Sequence, residues 1–206
     1  MTNTNQTFQA NQINQASQRS SHLVLGGARS GKSGFAEQQA LCALEACSNG
    51  RLNYIATATY LDDEMRERIA HHKARRGEQW IEHEVPVELA EKLQSFTQDD
   101  VVLIDCLTLW LNNIIFELGD DATNEQVEAV VEALAQSVEQ SPAHIFMVSN
   151  EVGLGVVPLG KVSRLFVDNA GRMNQALARV VERVTLIAAG LPLHLKPSNQ
   201  SLDTKG

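Results

Sequence analysis

Positive charge is what this sequence has least of: 17 Lys and Arg stand against 25 Asp and Glu, a net charge of -8 with a pI near 5.2. Nucleic-acid and anionic-membrane surfaces select for clustered Lys and Arg, so neither is expected as the main partner. Long apolar runs are missing as well. The longest, near residues 101–104 and 184–189, are strand-sized and fall far short of the roughly 20 residues that cross a bilayer, so no membrane insertion is expected. Cysteines number three, Cys42, Cys47 and Cys106, without C-x-x-C spacing. That excludes a disulfide framework or zinc knuckle and points to a reducing cytoplasm. Residues 1–20 lack the basic-then-apolar order of a signal peptide. Rich in Asn, Gln, Ser and Thr, they read as a disordered leader, and residues 197–206 read as a flexible tail.

What remains, residues 21–196, suits a single α/β domain: 206 residues with 43% hydrophobic content build one sizeable core more readily than two. Apolar runs at 22–25, 51–58, 101–107, 144–149 and 184–188, with a shorter one at 80–84, read as strands. Helical patterns at 32–46, 62–76, 86–97, 107–118, 124–140 and 161–183 separate them. Strands alternating with helices predict a mostly parallel sheet covered on both faces.

The first strand runs into Gly26-Gly27-Ala28-Arg29-Ser30-Gly31-Lys32-Ser33, a complete G-x-x-x-x-G-K-S pattern with a strand before it and a helix after. Its glycines let successive N–H groups turn inward onto phosphate oxygens, and the helix N-terminus adds partial positive charge. Lys32 would bridge the β- and γ-phosphates, and the Ser33 hydroxyl would hold Mg²⁺. Asp105, closing the run 101–104, is the expected carboxylate of the magnesium shell, partly through water, or a cap for the helix that follows; the two roles are compatible. By itself the motif also fits a simple small-molecule kinase or a nucleotide-dependent switch.

Residues 61–76 begin acidic, end basic and carry adjacent His71 and His72. At about 100° per residue, Leu61, Met65 and Ile69 share a stripe that includes His72 and not His71. An inward histidine on such a stripe is a hydrogen-bonded core residue or, with Lys73, Arg75 and Arg76 following, a nucleophile toward phosphorus. Neighbouring helical residues diverge, which argues against the pair chelating zinc.

These segments resemble the bifunctional adenosylcobinamide kinase / adenosylcobinamide-phosphate guanylyltransferase family from residue 22 to about 196. The P-loop, Tyr54 to Ala58, Asp63-Glu64-Met65 leading to His71-His72, and Asp105 to Thr108 carry the likeness. So do Ser149-Asn150-Glu151-Val152-Gly153-x-Gly155-x-Val157-Pro158 and Asp168-x-Ala170-Gly171-Arg172-x-Asn174-Gln175. The resemblance implies a RecA-like P-loop NTPase fold, a homotrimer, Mg²⁺, and ATP or GTP as phosphoryl donor. It also implies GMP transfer from GTP to adenosylcobinamide phosphate through a GMP-histidine. Alignment and helical wheel both favour His72 as that nucleophile, with His71 the alternative. Guanylate contacts would fall to Ala56, Thr57, Ala58, Lys73, Ala74, Arg75, Arg76, Glu84 and Asp105. Asn150, Glu151 and Gly153 read as a tight turn or a substrate contact. The stretch 168–175 reads as a solvated helix face, with Gly171 permitting close packing, or as a substrate contact.

Overall fold

A computed structural model describes residues 19–58, 79–155 and 158–196. The helix expected over 62–76, with both histidines, lies outside the described residues.

In chain order the elements are β1 (Ser21–Gly26), α1 (Lys32–Glu45), β2 (Arg51–Ala56), β3 (Trp80–Glu84), α2 (Leu89–Leu93), β4 (Asp100–Asp105), α3 (Leu107–Leu118), α4 (Asn124–Gln140), β5 (His144–Asn150), α5 (Lys161–Val180), β6 (Arg183–Ala188) and β7 (Leu191–Lys196). Among the described residues the strands form one seven-stranded sheet ordered β3-β2-β4-β5-β1-β6-β7. All pairings are parallel except that of β6 with β7.

The continuous apolar runs behave as strands buried on both faces. In β4, Val101 and Leu103 face one core with α1, Val24, Tyr54, Phe146 and Ile187. Val102 and Ile104 face the other, built with Trp110, Leu111, Leu134, Met173 and Leu177 from α3, α4 and α5. α4 is entered through a capping box in which the Thr123 and Gln126 side chains bond each other's backbone N–H.

Two expectations need correction. The helix read over 86–97 is only Leu89–Leu93. Beyond it, Ser95 Oγ donates to the Lys92 carbonyl at 2.8 Å, and Thr97 is taken up by Asp100, which accepts from its N–H at 2.8 Å and its hydroxyl at 2.9 Å. Strand β7 is absent from the sequence reading, because Pro192 interrupts an otherwise alternating Leu191-Leu193-Leu195 pattern; proline is tolerated here on an edge strand. The hairpin before it turns on Ala189 and Gly190, with φ of 52° and 80°. The described chain is also tied in from Arg19, whose guanidinium donates to the Val138 and Glu139 carbonyls. Ser20 joins it, accepting at its hydroxyl from Arg183 at 2.7 Å.

At the opposite end of the sheet from the P-loop, Asp100 is nearly fully buried. It accepts from Arg51 Nε at 3.0 Å, Arg51 Nη2 at 2.8 Å and Asn53 Nδ2 at 2.9 Å, besides Thr97. Burial pushes its carboxyl upward, but bonds from Thr97, Arg51 and Asn53 outweigh this and hold it below the ordinary carboxylate range.

Candidate active site

A parallel α/β sheet presents ligands at the carboxyl ends of its strands, and the described candidate residues gather there. β1 ends in Gly26, and the turn to α1 carries Gly27, Ala28, Arg29, Ser30 and Gly31 before Lys32 and Ser33 open the helix. Gly26 has no room for a side chain: a Cβ would stand 2.5 Å from Ser30 Oγ and 2.7 Å from the Ile187 carbonyl oxygen of β6. Arg29, at φ 55°, and Gly31, at φ 96°, supply the left-handed backbone that curls the loop. Gly31 is the N-cap and no side chain among the described residues caps the helix, so its first N–H groups face the loop. Among the described residues, Ser30 Oγ is buried without a hydrogen-bond partner. Lys32 is buried along the loop, its ammonium donating to the Gly27 carbonyl at 3.0 Å. Uncapped N–H groups, an orphaned hydroxyl and an ammonium form a donor set suited to phosphate oxygens.

Asp105 sits at the end of β4, half-buried. It is not on the strand beside the P-loop, because β5 intervenes between β4 and β1. Two strand spacings of about 4.8 Å place it about 10 Å from β1. Nor does it cap α3: the N-cap is Cys106, and no side chain makes a capping bond. The Cys106 thiol is buried, and that burial, followed by the nearby Asp105 charge, pushes its pKa up.

Ala56 pairs with Glu84 on one side and Asp105 on the other, so three of the expected guanylate residues share one row across β3, β2 and β4. Glu84 is exposed, and Ala58 is half-buried just beyond the strand. β3 lies four strand places from β1, about 19 Å away, so this row and the P-loop are two clusters on one edge. Thr57 is fully buried; its hydroxyl donates to the Cys106 carbonyl at 2.7 Å and accepts from the Cys106 N–H at 3.0 Å. Its side chain therefore joins β2 to β4. His71, His72, Lys73, Ala74, Arg75 and Arg76 lie outside the described residues.

Three further links run along the edge. Thr108 Oγ1 accepts from the Asn150 N–H at 2.8 Å, the Glu151 N–H donates to the Gly26 carbonyl at 3.2 Å, and the Gly190 N–H donates to the Ser30 carbonyl at 3.0 Å. Sequence reasoning assigns no such part to Thr108, and the signal at Gly190 is hidden because the hairpin itself has no clear sequence signature. Glu151 Oε1 also accepts from the Gly153 N–H at 2.8 Å, the tight-turn reading of that segment.

The 168–175 stretch is not a simple solvated face. Asn169 and Arg172 both donate to Asn124 Oδ1, at 2.9 and 2.8 Å, pinning the start of α4, while Ala170, Met173 and Asn174 are buried. Among the described residues a Cβ at Gly171 would meet nothing within 4 Å, so no close packing is seen there.

Comparison with known proteins agrees with the sequence likeness. Residues 22–195 match the family described as cobinamide kinase / cobinamide phosphate guanyltransferase. The bifunctional adenosylcobalamin biosynthesis protein CobP of Pseudomonas aeruginosa is 49% identical over 175 residues, covering 84% of this chain and 96% of that protein. CobU of Escherichia coli is 39% identical over 184 residues, covering 84% and 98%. Among solved structures, flagellar accessory protein FlaH from Methanocaldococcus jannaschii overlays at a TM-score of 0.47 and 15% identity, covering 87% of this chain and 79% of that one. A KaiC-like protein from Pyrococcus horikoshii overlays at 0.42 and 15%, covering 81% and 70%. Overlays this loose carry no argument; strand order and the P-loop carry the fold.

Proposed function

The chain belongs to the cobinamide kinase / cobinamide phosphate guanyltransferase family, and from that premise we propose how its two reactions are served by one sheet edge. It is a bifunctional enzyme of cobalamin biosynthesis, acting as cobinamide kinase and as cobinamide-phosphate guanylyltransferase.

In the kinase step the side-arm hydroxyl oxygen of adenosylcobinamide bonds to the γ-phosphorus of ATP or GTP. The bond to the β–γ bridging oxygen breaks, the nucleoside diphosphate leaves, and the hydroxyl proton is lost. Lys32, the Ser30 hydroxyl and the open N–H groups of α1 hold the phosphates in line. Ser33 and Asp105 offer hard oxygen donors that suit Mg²⁺, Asp105 through water given its two-strand offset. Such an ion would offset negative charge developing on the phosphates.

In the second step a ring nitrogen of His72, with His71 as the alternative, bonds to the α-phosphorus of GTP and pyrophosphate leaves. An oxygen of adenosylcobinamide phosphate then takes the α-phosphorus, breaking the P–N bond and giving adenosylcobinamide-GDP. Ala56, Thr57, Ala58, Glu84 and Asp105 line the guanylate end, Thr57 by its backbone, with Lys73, Ala74, Arg75 and Arg76 completing it. A homotrimer is supported by the exposed row Leu191, Leu193 and Leu195 on edge strand β7, an apolar face of the kind subunits cover. Three free cysteines and the relatives' biosynthetic role support a cytoplasmic location. No helix among the described residues is long and apolar enough to cross a membrane.

The observation that carries the reading is the orphaned Ser30 hydroxyl inside an uncapped helix N-terminus. The test is incubation with α-labelled and, separately, γ-labelled GTP and Mg²⁺. Acid-labile, base-stable protein label is expected from the α position only, and lost in His72→Ala. Label lost in His71→Ala but kept in His72→Ala reverses the assignment; no label on active, folded protein overturns the histidine intermediate.

A further inference from the structure

We propose that Asn113 of α3 is a positioning residue for guanylyl transfer, a single side chain that sets the spacing between the exits of β2 and β3 and so holds the guanylate row in place. This deepens the guanylyltransferase reading above and rests on its assignment of Ala56, Glu84 and Asp105 to the guanylate end.

Asn113 Nδ2 donates to the Thr57 carbonyl at 2.8 Å and to the Pro86 carbonyl at 3.0 Å. A side-chain amide nitrogen carries two protons, and one goes to each strand exit. Thr57 stands directly after Ala56, and Pro86 two residues after Glu84. The third member of the row, Asp105, is followed by Cys106, whose carbonyl and N–H are both bonded to the Thr57 hydroxyl. Each residue of the row therefore lies one or two positions before a member of one connected set of hydrogen bonds, with Asn113 and Thr57 as its nodes. The backbone joins β2 to β3 as far as the Val85 N–H, which donates to the Ala56 carbonyl at 2.9 Å. Past that point, among the described residues, Asn113 is the side chain that bonds both exits.

The surrounding structure does not depend on this amide. Trp110, buried in the core, donates from Nε1 to the Val87 carbonyl at 2.8 Å and anchors the loop after β3. The Thr57 hydroxyl anchors β2 to β4. Removing the Asn113 amide leaves both exits tied to the body of the domain but no longer to each other. The P-loop lies beyond reach of such a shift, because β2 and β3 stand three and four strand places from β1, about 14 and 19 Å. Guanylyl transfer should therefore suffer and the kinase reaction should not.

The test is Asn113→Asp, which keeps the shape and loses the donors, with Asn113→Ala beside it. On the same samples, pyrophosphate release from GTP in the presence of adenosylcobinamide phosphate is measured, together with γ-phosphoryl transfer from ATP to cobinamide. In both variants kcat/KM for GTP in the transfer should fall roughly tenfold or more, within the roughly 100-fold that a misplacement of about 1 Å costs. Kinase kcat and KM for ATP should stay within about twofold, which also reports that the variants fold. A parallel loss of both activities makes Asn113 a general support of the fold and overturns the proposal. Glu84→Gln, run alongside, reports on the row itself. Transfer lowered by Glu84→Gln and untouched by both Asn113 variants overturns the proposal and leaves the guanylate reading standing. Transfer untouched by all three overturns that reading and the proposal together.

Discussion

Replacing Gly26 by alanine adds one methyl group at the point where the phosphate loop leaves the sheet. That methyl would stand 2.5 Å from Ser30 Oγ and 2.7 Å from the Ile187 carbonyl oxygen. The first neighbour is a short side chain within the loop. The second is backbone of β6, paired to β1 through the register Gly26↔Ile187, and cannot retreat without breaking that pairing. The loop must move. Forcing a methyl into a packed site costs about 1–3 kcal/mol, a melting-temperature drop of about 2–12 °C for a chain of this size. The displaced Ser30 and Lys32 would also weaken nucleotide binding. Gly27→Ala is the matched control, since a Cβ there meets nothing within 4 Å. Thermal denaturation with and without ATP and Mg²⁺ reads both effects. Equal melting temperatures and equal ligand-induced shifts in the two variants would refute the steric argument.

Other perturbations follow from the same structure. Thr57→Val removes both bonds to Cys106 and leaves its buried N–H unpaired, while the carbonyl keeps the Trp110 N–H at 3.2 Å, so unfolding in urea should show a loss of about 1–3 kcal/mol. Asp100→Ala strips the acceptor from Arg51, Thr97 and Asn53 and should cost about 3 kcal/mol in the same assay. Because the folded Asp100 carboxyl titrates below its unfolded value, its contribution is full above the unfolded pKa and is lost as pH falls through the folded one; Asp100→Ala should remove that part of the acid dependence. His22 is buried, its Nε2 2.8 Å from Thr185 Oγ1. Burial first, then Arg183 and His194, lower its pKa from 6.5 to about 3. The unfolded state therefore binds the extra proton between those values, and stability should fall by about 1.4 kcal/mol per pH unit on acidification through that window. His22→Leu should flatten this part of the pH-stability curve; an unchanged slope would count against a neutral buried imidazole.

The P-loop is legible in the sequence because phosphate binding needs those residue types at that spacing between a strand and a helix. The elements α3 and α4 are legible to the residue from their apolar periodicity, and in α4 the Thr123 and Gln126 cap fixes the first turn where the pattern begins. Asp105 stands out as a strand-end carboxylate, but which strand separates it from β1 depends on sheet order, and parallel strands with helical crossovers do not announce their neighbours. The family resemblance implies a guanylate contact at Thr57; only the fold shows its hydroxyl spent on Cys106. Edge strand β7 escapes the sequence reading because its side chains are largely exposed, and burial is what gives strands their sequence signature.

Transfer of the γ-phosphoryl label from ATP to cobinamide, measured for wild type and for Lys32→Ala of matched thermal stability, tests the central claim most directly. Labelled cobinamide phosphate from wild type and almost none from the variant is the expected result. Equal transfer by both would contradict the account, because the P-loop would then hold no part of the reaction.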